Sequence, residues 1–400
     1  ASSPALAQYL SRNAKVFDAV IGGSFWDDWP GKKMLCLDLS NIHASLSDYE
    51  EKLDSTRRWL KEWHFRIGVH LLRGLSNAEE AAQQYGELAE AVISGLWPQV
   101  ITQFSIKHGN PPGRGAVVLG MGSLGVGRLH SCSDLDLIVI YDAGDAEISE
   151  GRRPLHSRQY YARLTQALVT SLAAPTAEGR LYEVDMRLRP SGNKGPVATS
   201  WSAFQSYQLG EAWIWEHLAL SRARVIAGPK AFGQEVEAFR ISLMGRTPSE
   251  VAKRALSKMR LRIARAKGSA DYWDIKDGAG RLQDIEMIAQ LGHLLHGGSA
   301  RDVVSGLNSI VTIGVLSEAQ GVQIKKTYKL LWRLRVGTQL LGQDGFEEDN
   351  IAESAKQFLL TLTGYQDLET LKKSLILQTS EVSGIIDNAL PAVKDAHEEG

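Results

Sequence analysis

Asp134 and Asp136 stand two positions apart at the head of an apolar run that ends at Asp142, and they are the residues of this chain best suited to chemistry. Alternate side chains of a strand share a face. Both carboxylates therefore project together, while Leu135 and Leu137 point into a core. Two like charges held that close raise each other's proton affinity unless a cation lies between them. Hard divalent ions such as Mg²⁺ take carboxylate oxygens and commonly bind substrate phosphates as well. Upstream, a first apolar run from Ala116 ends at Gly122-Ser123. Glycine lets a backbone approach a phosphate closely, and the exposed N–H groups of such a turn hold an anion. A buried strand with Asp134 as its cap and Asp136 solvated would show the same pair. The Gly-Ser turn and the apolar runs on either side favour the metal site.

Phosphoryl chemistry with two metals needs a further acidic ligand. The segment LYEVDMRLRP, Leu181 to Pro190, is its expected source. It alternates, with Tyr182, Val184, Met186 and Leu188 on one face and Glu183, Asp185, Arg187 and Arg189 on the other. Asp185 is the expected third ligand. Arg187 and Arg189 are the expected phosphate partners, because a guanidinium makes bidentate contacts with phosphate.

These residues need a scaffold. Strands are expected near 116–121, 134–141, 181–188 and 224–227, and helices near 157–173 and 202–222. Helical periodicity returns at 248–267, 282–296, 316–341, 350–363 and 366–388. Before residue 108 the pattern is helical, with Ser47-Asp48-Tyr49-Glu50 and Ser76-Asn77-Ala78-Glu79 as candidate capping boxes. Gly109-Asn110-Pro111-Pro112-Gly113 is a break, and Gly297-Gly298 and Gly345 mark turns. The expected division is a helical segment over 1–112, a catalytic domain over 113–245 and a helical bundle over 246–400. The expected class is α+β, a small mixed sheet with flanking helices in a chain that is mostly α.

Four blocks resemble a known family. SDLDLIVIYD, EGRLYEVDMRLRPSGNKGPVATS, EAWIWEHLALSRARVIAG and DIKDGAGRLQDIEMIAQ are similar, in order, to blocks of the glutamine-synthetase adenylyltransferase family, within the nucleotidyltransferase superfamily. Those enzymes have two related halves, one removing AMP from glutamine synthetase and one adding it. YEVDMRLRPSG and EAWIWEHLALSRARV resemble the C-terminal, adenylylating half. The resemblance implies a nucleotidyltransferase core, ATP as substrate and Mg²⁺ or Mn²⁺ as cofactor. It implies a tyrosine hydroxyl of glutamine synthetase as acceptor, and PII signalling protein and glutamine as regulators. Asp134, Asp136 and Asp185 would be the catalytic and metal-holding residues, with Asp185 as general base. Gly122, Ser123, Arg187, Arg189 and Lys276 would hold the nucleotide. Glu211, Trp213, Trp215 and Glu216, on a helical stretch running to Arg222 and Arg224, would help build the cleft. Of Asp284 and Glu286, at most one is expected at the site, since residues two apart on a helix do not share a face. Three departures stand out: Ser123 where the family often has lysine, Val126 where it has a second glycine, and Gly280-Arg281 where it has a glycine pair. Two other readings use the same residues: phosphorolytic removal of AMP on this scaffold, and a non-catalytic docking or regulatory module.

Composition removes several classes. Net charge is −1 over 400 residues, whereas a nucleic-acid enzyme would carry a basic excess or stripe. Two cysteines, Cys36 and Cys132, make neither a disulfide framework nor a zinc spacing. No apolar run approaches the ~20 residues that span a bilayer, so a cytoplasmic protein with no membrane partner is expected.

Overall fold

The computed structural model describes residues 3–12, 23–267, 271–342 and 351–392. The expected turn at Gly345 and the polar tail from Lys394 lie outside them. The first helices are α1 (Pro4–Arg12), α2 (Gly31–Ala44), α3 (Tyr49–Leu72) and α4 (Ala78–His108). Their caps sit one residue later than the expected boxes. Asp48 accepts from Glu51 N–H at 2.9 Å to start α3. Asn77 and Glu80 cap each other reciprocally to start α4. Asp and Asn are as good at the cap position as the serines that precede them.

The sheet is built from β1 (Gly115–Gly120), β2 (Leu135–Asp142), β3 (Val184–Asp185), β4 (Ala198–Ser200) and β5 (Arg224–Ala227). Its order is β3-β2-β1-β5, with β4 also paired to β2. β1 runs antiparallel to β2 and β5, whereas β3 and β4 run parallel to β2. β1 and β2 are almost wholly buried, as their continuous apolar runs require. Between them lies a short helix, α5 (Gly122–Val126); α6 (Ser157–Ala173) follows β2.

Two expected elements differ. The strand over 181–188 shortens to Val184–Asp185. Leu181 and Tyr182 both donate to the carbonyl of Leu172, and after Asp185 the chain turns back because the Arg187 N–H donates to the Asp185 side chain. The helix over 202–222 is two, α7 (Trp201–Gly210) and α8 (Ile214–Leu220). Gly210, a weak helix former, ends the first. The Glu216 carboxylate accepts the Trp213 N–H at 2.9 Å to begin the second.

The remaining helices are α9 (Lys230–Leu243), α10 (Ser249–Lys267), α11 (Leu282–His296), α12 (Val303–Thr312), α13 (Glu318–Leu340), α14 (Glu353–Thr363) and α15 (Leu368–Ala389). The class is α+β and mostly helical. One hydrophobic cluster runs from Leu35 to Leu390. Through it α4 lies against α6 and β5, and α8 lies against α10 and α11. Helices on both flanks thus hold the small sheet. Among the described residues no helix is long and apolar enough to cross a membrane.

Candidate active site

The turn after β1 is shaped around one carboxylate. The Met121 N–H donates to the backbone carbonyl of Asp136 at 2.9 Å, fastening the turn to β2. Gly122 follows at φ +52°, and a Cβ there would lie 2.4 Å from Asp136 Oδ2. Both the backbone conformation and the space therefore require glycine. Gly125 is as tightly placed, because its Cβ would meet the Arg222 carbonyl at 2.1 Å.

Asp136 and Asp185 are brought abreast by the parallel pairing of β2 with β3, in which they are direct partners. Asp134 is exposed and stands one residue ahead of β2, which begins at Leu135 and not at 134 as expected; its charge still reaches Asp136. The clustering has an electrostatic signature. Burial, and then the charges of Asp134 and Asp185, push the Asp136 carboxyl up to about 6; Arg222 and Lys276 pull it the other way. Asp185 goes in the opposite direction, held below the usual carboxylate range chiefly by its hydrogen bond from Arg187. The Arg187 Nε donates to Asp185 Oδ2 at 2.7 Å, and Nη2 stands 2.5 Å from the same oxygen. The Arg187 charge is stabilised first by Asp185 and, more weakly, by Asp136 and Asp134.

Among the described residues no three His, Cys, Asp or Glu side chains stand as a ready coordination shell, and Asp185 is engaged by Arg187. The donor set still suits a hard divalent cation. It offers oxygens only, from three carboxylates sharing one field, and in Asp136 burial and the neighbouring acids outweigh the pull of Arg222 and Lys276.

Compared with known families, residues 1–239 match the model of glutamate-ammonia ligase adenylyltransferase. The chain belongs to that family. Residues 252–390 match a second model, GlnD PII-uridylyltransferase. The bifunctional glutamine synthetase adenylyltransferase/adenylyl-removing enzyme of Mesorhizobium japonicum is 37% identical over 397 residues, covering 98% of this chain and 40% of that protein. The enzyme of the same name from Rhodopseudomonas palustris is 34% identical over 396 residues, 97% of this chain and 40% of its own length. That from Bartonella quintana is 37% identical over 389 residues, 95% and 39%. The chain thus spans about 40% of the length of the curated relatives it matches.

Within the adenylyltransferase family frame, the three departures have plain physical readings. Ser123 lies in the first turn of α5 beside Gly122. Val126 sits in the same helical stretch at a negative φ, where no glycine is required. Arg281 donates to the carbonyls of Asp274 at 2.5 Å and Asp277 at 3.0 Å, closing the loop before α11 on itself. Gly280 beside it cannot be replaced, since a Cβ would meet the Thr379 carbonyl at 1.9 Å.

Several expected site residues have other tasks. Arg189 is buried and donates to the carbonyls of Met186, Asn193 and Gly195, so it pins the 186–195 loop instead of facing a phosphate. Arg224 holds the carbonyls of Leu124 and Gly125 and pairs with Glu90. Glu216 caps α8 and accepts from Tyr207. Trp213 is 69% exposed and Trp215 37%, both on the surface beside that cap. Asp284 is bound by Arg260 away from the acids, whereas Glu286 meets Arg222 at 2.8 Å and so borders the site. Lys276 is exposed, and its charge reaches Asp136 and His130. His130 and Tyr328 were not anticipated. Burial, with Arg335 and Lys276 nearby, pushes the His130 imidazole down to about 3. Tyr328 is raised by burial and by Glu286. The position of His130 just ahead of the D-x-D strand was the available signal for it; Tyr328 had none.

Proposed function

We propose that this chain transfers AMP from ATP to a tyrosine hydroxyl of glutamine synthetase. The observation that carries the reading is the register that sets Asp136 abreast of Asp185, with the charge of Asp134 beside them and Gly122 packed over the Asp136 carboxylate. Asp134, Asp136 and Asp185 would hold the divalent cations, Mg²⁺ or Mn²⁺. Bound there, such ions supply neutralisation of phosphate charge, polarisation of the α-phosphorus and a lower hydroxyl pKa. The protein's own part is to place the triphosphate along the Gly122-Ser123 turn, with Lys276 and Arg187 as its cationic contacts. Asp185 accepts the tyrosine proton only once Arg187 has left it, because the ion pair keeps its basicity low. Glutamine synthetase is the protein partner, PII protein and glutamine are the regulators, and the cytoplasm is the place of action.

The relatives carry both an adding and a removing activity in their names. The wording of the YEVDMRLRPSG and EAWIWEHLALSRARV blocks favours addition for this chain. The test is incubation with unmodified glutamine synthetase and ATP labelled in its α-phosphate, with and without Mg²⁺. Label appears on the target only with the cation, and Asp136→Asn removes it. No transfer, together with phosphate-dependent release of ADP from adenylylated target, would assign the chain to removal instead.

A further inference from the structure

Arg187 occupies the place a cation would take. Its guanidinium lies on Asp185 Oδ2 through two nitrogens, at 2.7 and 2.5 Å. Asp185 Oδ1 is separately satisfied by the Arg187 backbone N–H at 2.7 Å. A metal ion can therefore claim Oδ2 without disturbing the turn, but only by displacing the side chain of Arg187. The two partners differ in freedom: the Arg187 side chain is 73% exposed, that of Asp185 16%. The arginine can swing out while the carboxylate stays. Asp136 and Asp134 also attract its charge, more weakly than Asp185 does. A polyphosphate arriving at the Gly122 turn offers a guanidinium a stronger bidentate partner than one carboxylate oxygen.

We infer that the guanidinium of Arg187 is a built-in counter-ion of the acid cluster, which holds the outer oxygen of Asp185 until a nucleotide phosphate draws it away, so that cation and nucleotide load together. The inference rests on the proposed site and adds an order to its filling. Coupling of this kind is reciprocal. Without nucleotide, the cation must compete with Arg187; without cation, the nucleotide still gains Arg187 as a contact.

The test uses the full chain and Mn²⁺ alone, titrated by electron paramagnetic resonance, with nucleotide binding measured separately in EDTA using α,β-methylene-ATP. Arg187→Gln is expected to bind Mn²⁺ about tenfold more tightly than wild type, and the metal-free analogue about tenfold more weakly. Arg187→Lys keeps the charge and loses the fork; it is expected to tighten Mn²⁺ binding several-fold. If Arg187→Lys matches wild type and only Arg187→Gln tightens, the effect is net charge and the displacement idea is wrong. Unchanged Mn²⁺ affinity in both variants also overturns it, and the site reading survives if Asp136→Asn still abolishes binding. Mn²⁺ binding that ignores Asp136→Asn would bring down the site reading and this inference with it.

Discussion

Two sets of acids in this molecule, one buried and one half-open, are solved in opposite ways. Asp284, 4% exposed, has partners from its own chain on both oxygens. Arg260 contacts them at 2.5 and 2.9 Å, and the Gly280 N–H donates at 2.8 Å. Glu90 is likewise held between Arg224 and Lys32. Asp136 is half-buried, with like charges beside it, and its proton affinity rises accordingly. The only cation seated on its neighbour Asp185, among the described residues, is the exposed Arg187. A buried charge is stable when paired and hydrogen-bonded. The helical junction meets that condition internally; the acid cluster leaves it to be completed by something that arrives.

The contrast makes opposite forecasts for two neutralising changes. Asp136→Asn should cut AMP transfer by about 10³-fold or more, since it removes an oxygen from the reacting centre. In chemical denaturation it should leave the cation-free protein no less stable, because a poorly compensated charge has gone. A clear loss of stability would place Asp136 with the structural acids and break the comparison. Arg260→Met should instead destabilise by about 3–5 kcal/mol, the usual consequence of stranding one member of a buried pair. A urea midpoint equal to wild type would show that Asp284 does not depend on its arginine.

Smaller changes sharpen the picture. Gly122→Ala forces a side chain into a positive-φ position and against Asp136, costing about 1–3 kcal/mol. Its loss of transfer activity should exceed what the fraction unfolded explains; parallel losses would mean that the turn only supports the fold. His43 tests the satisfied class by pH. It is buried against Thr56 Oγ1 at 2.8 Å, and burial pushes its imidazole down to about 4. The unfolded chain then binds a proton that the folded one refuses between pH 6.5 and 4. Stability is full above pH 6.5 and falls on acidification by about 1.4 kcal/mol per pH unit for this group. His43→Gln should flatten that slope by about one proton's worth in urea titrations across the same range; an unchanged slope would mean that His43 charges without cost.

Much of the scaffold was legible, and the misses share a cause. The helix over 157–173 and the β1 and β2 strands follow periodicity that local residues impose. Expected strand residues 186–188 were lost because the Asp185 side chain captured a backbone N–H, a local competition that alternation alone does not reveal. Helix α9, helix α12 and strand β4 went unanticipated. Two residues showing the same alternation, Arg187 and Arg189, ended in different worlds: one exposed on an acid, the other buried under three carbonyls.

The amino-acid order by itself determined that Asp134 and Asp136 stand close together and that a glycine turn precedes them, because chain spacing and glycine's freedom are local properties. Only the tertiary structure decided that Asp185 lies beside Asp136, that Arg187 stands in the cluster and that Glu286 and Lys276 reach its border. Those placements come from strand pairing and helix packing between distant segments. The charges that a carboxylate meets in low-dielectric surroundings are set by what the whole chain folds around it.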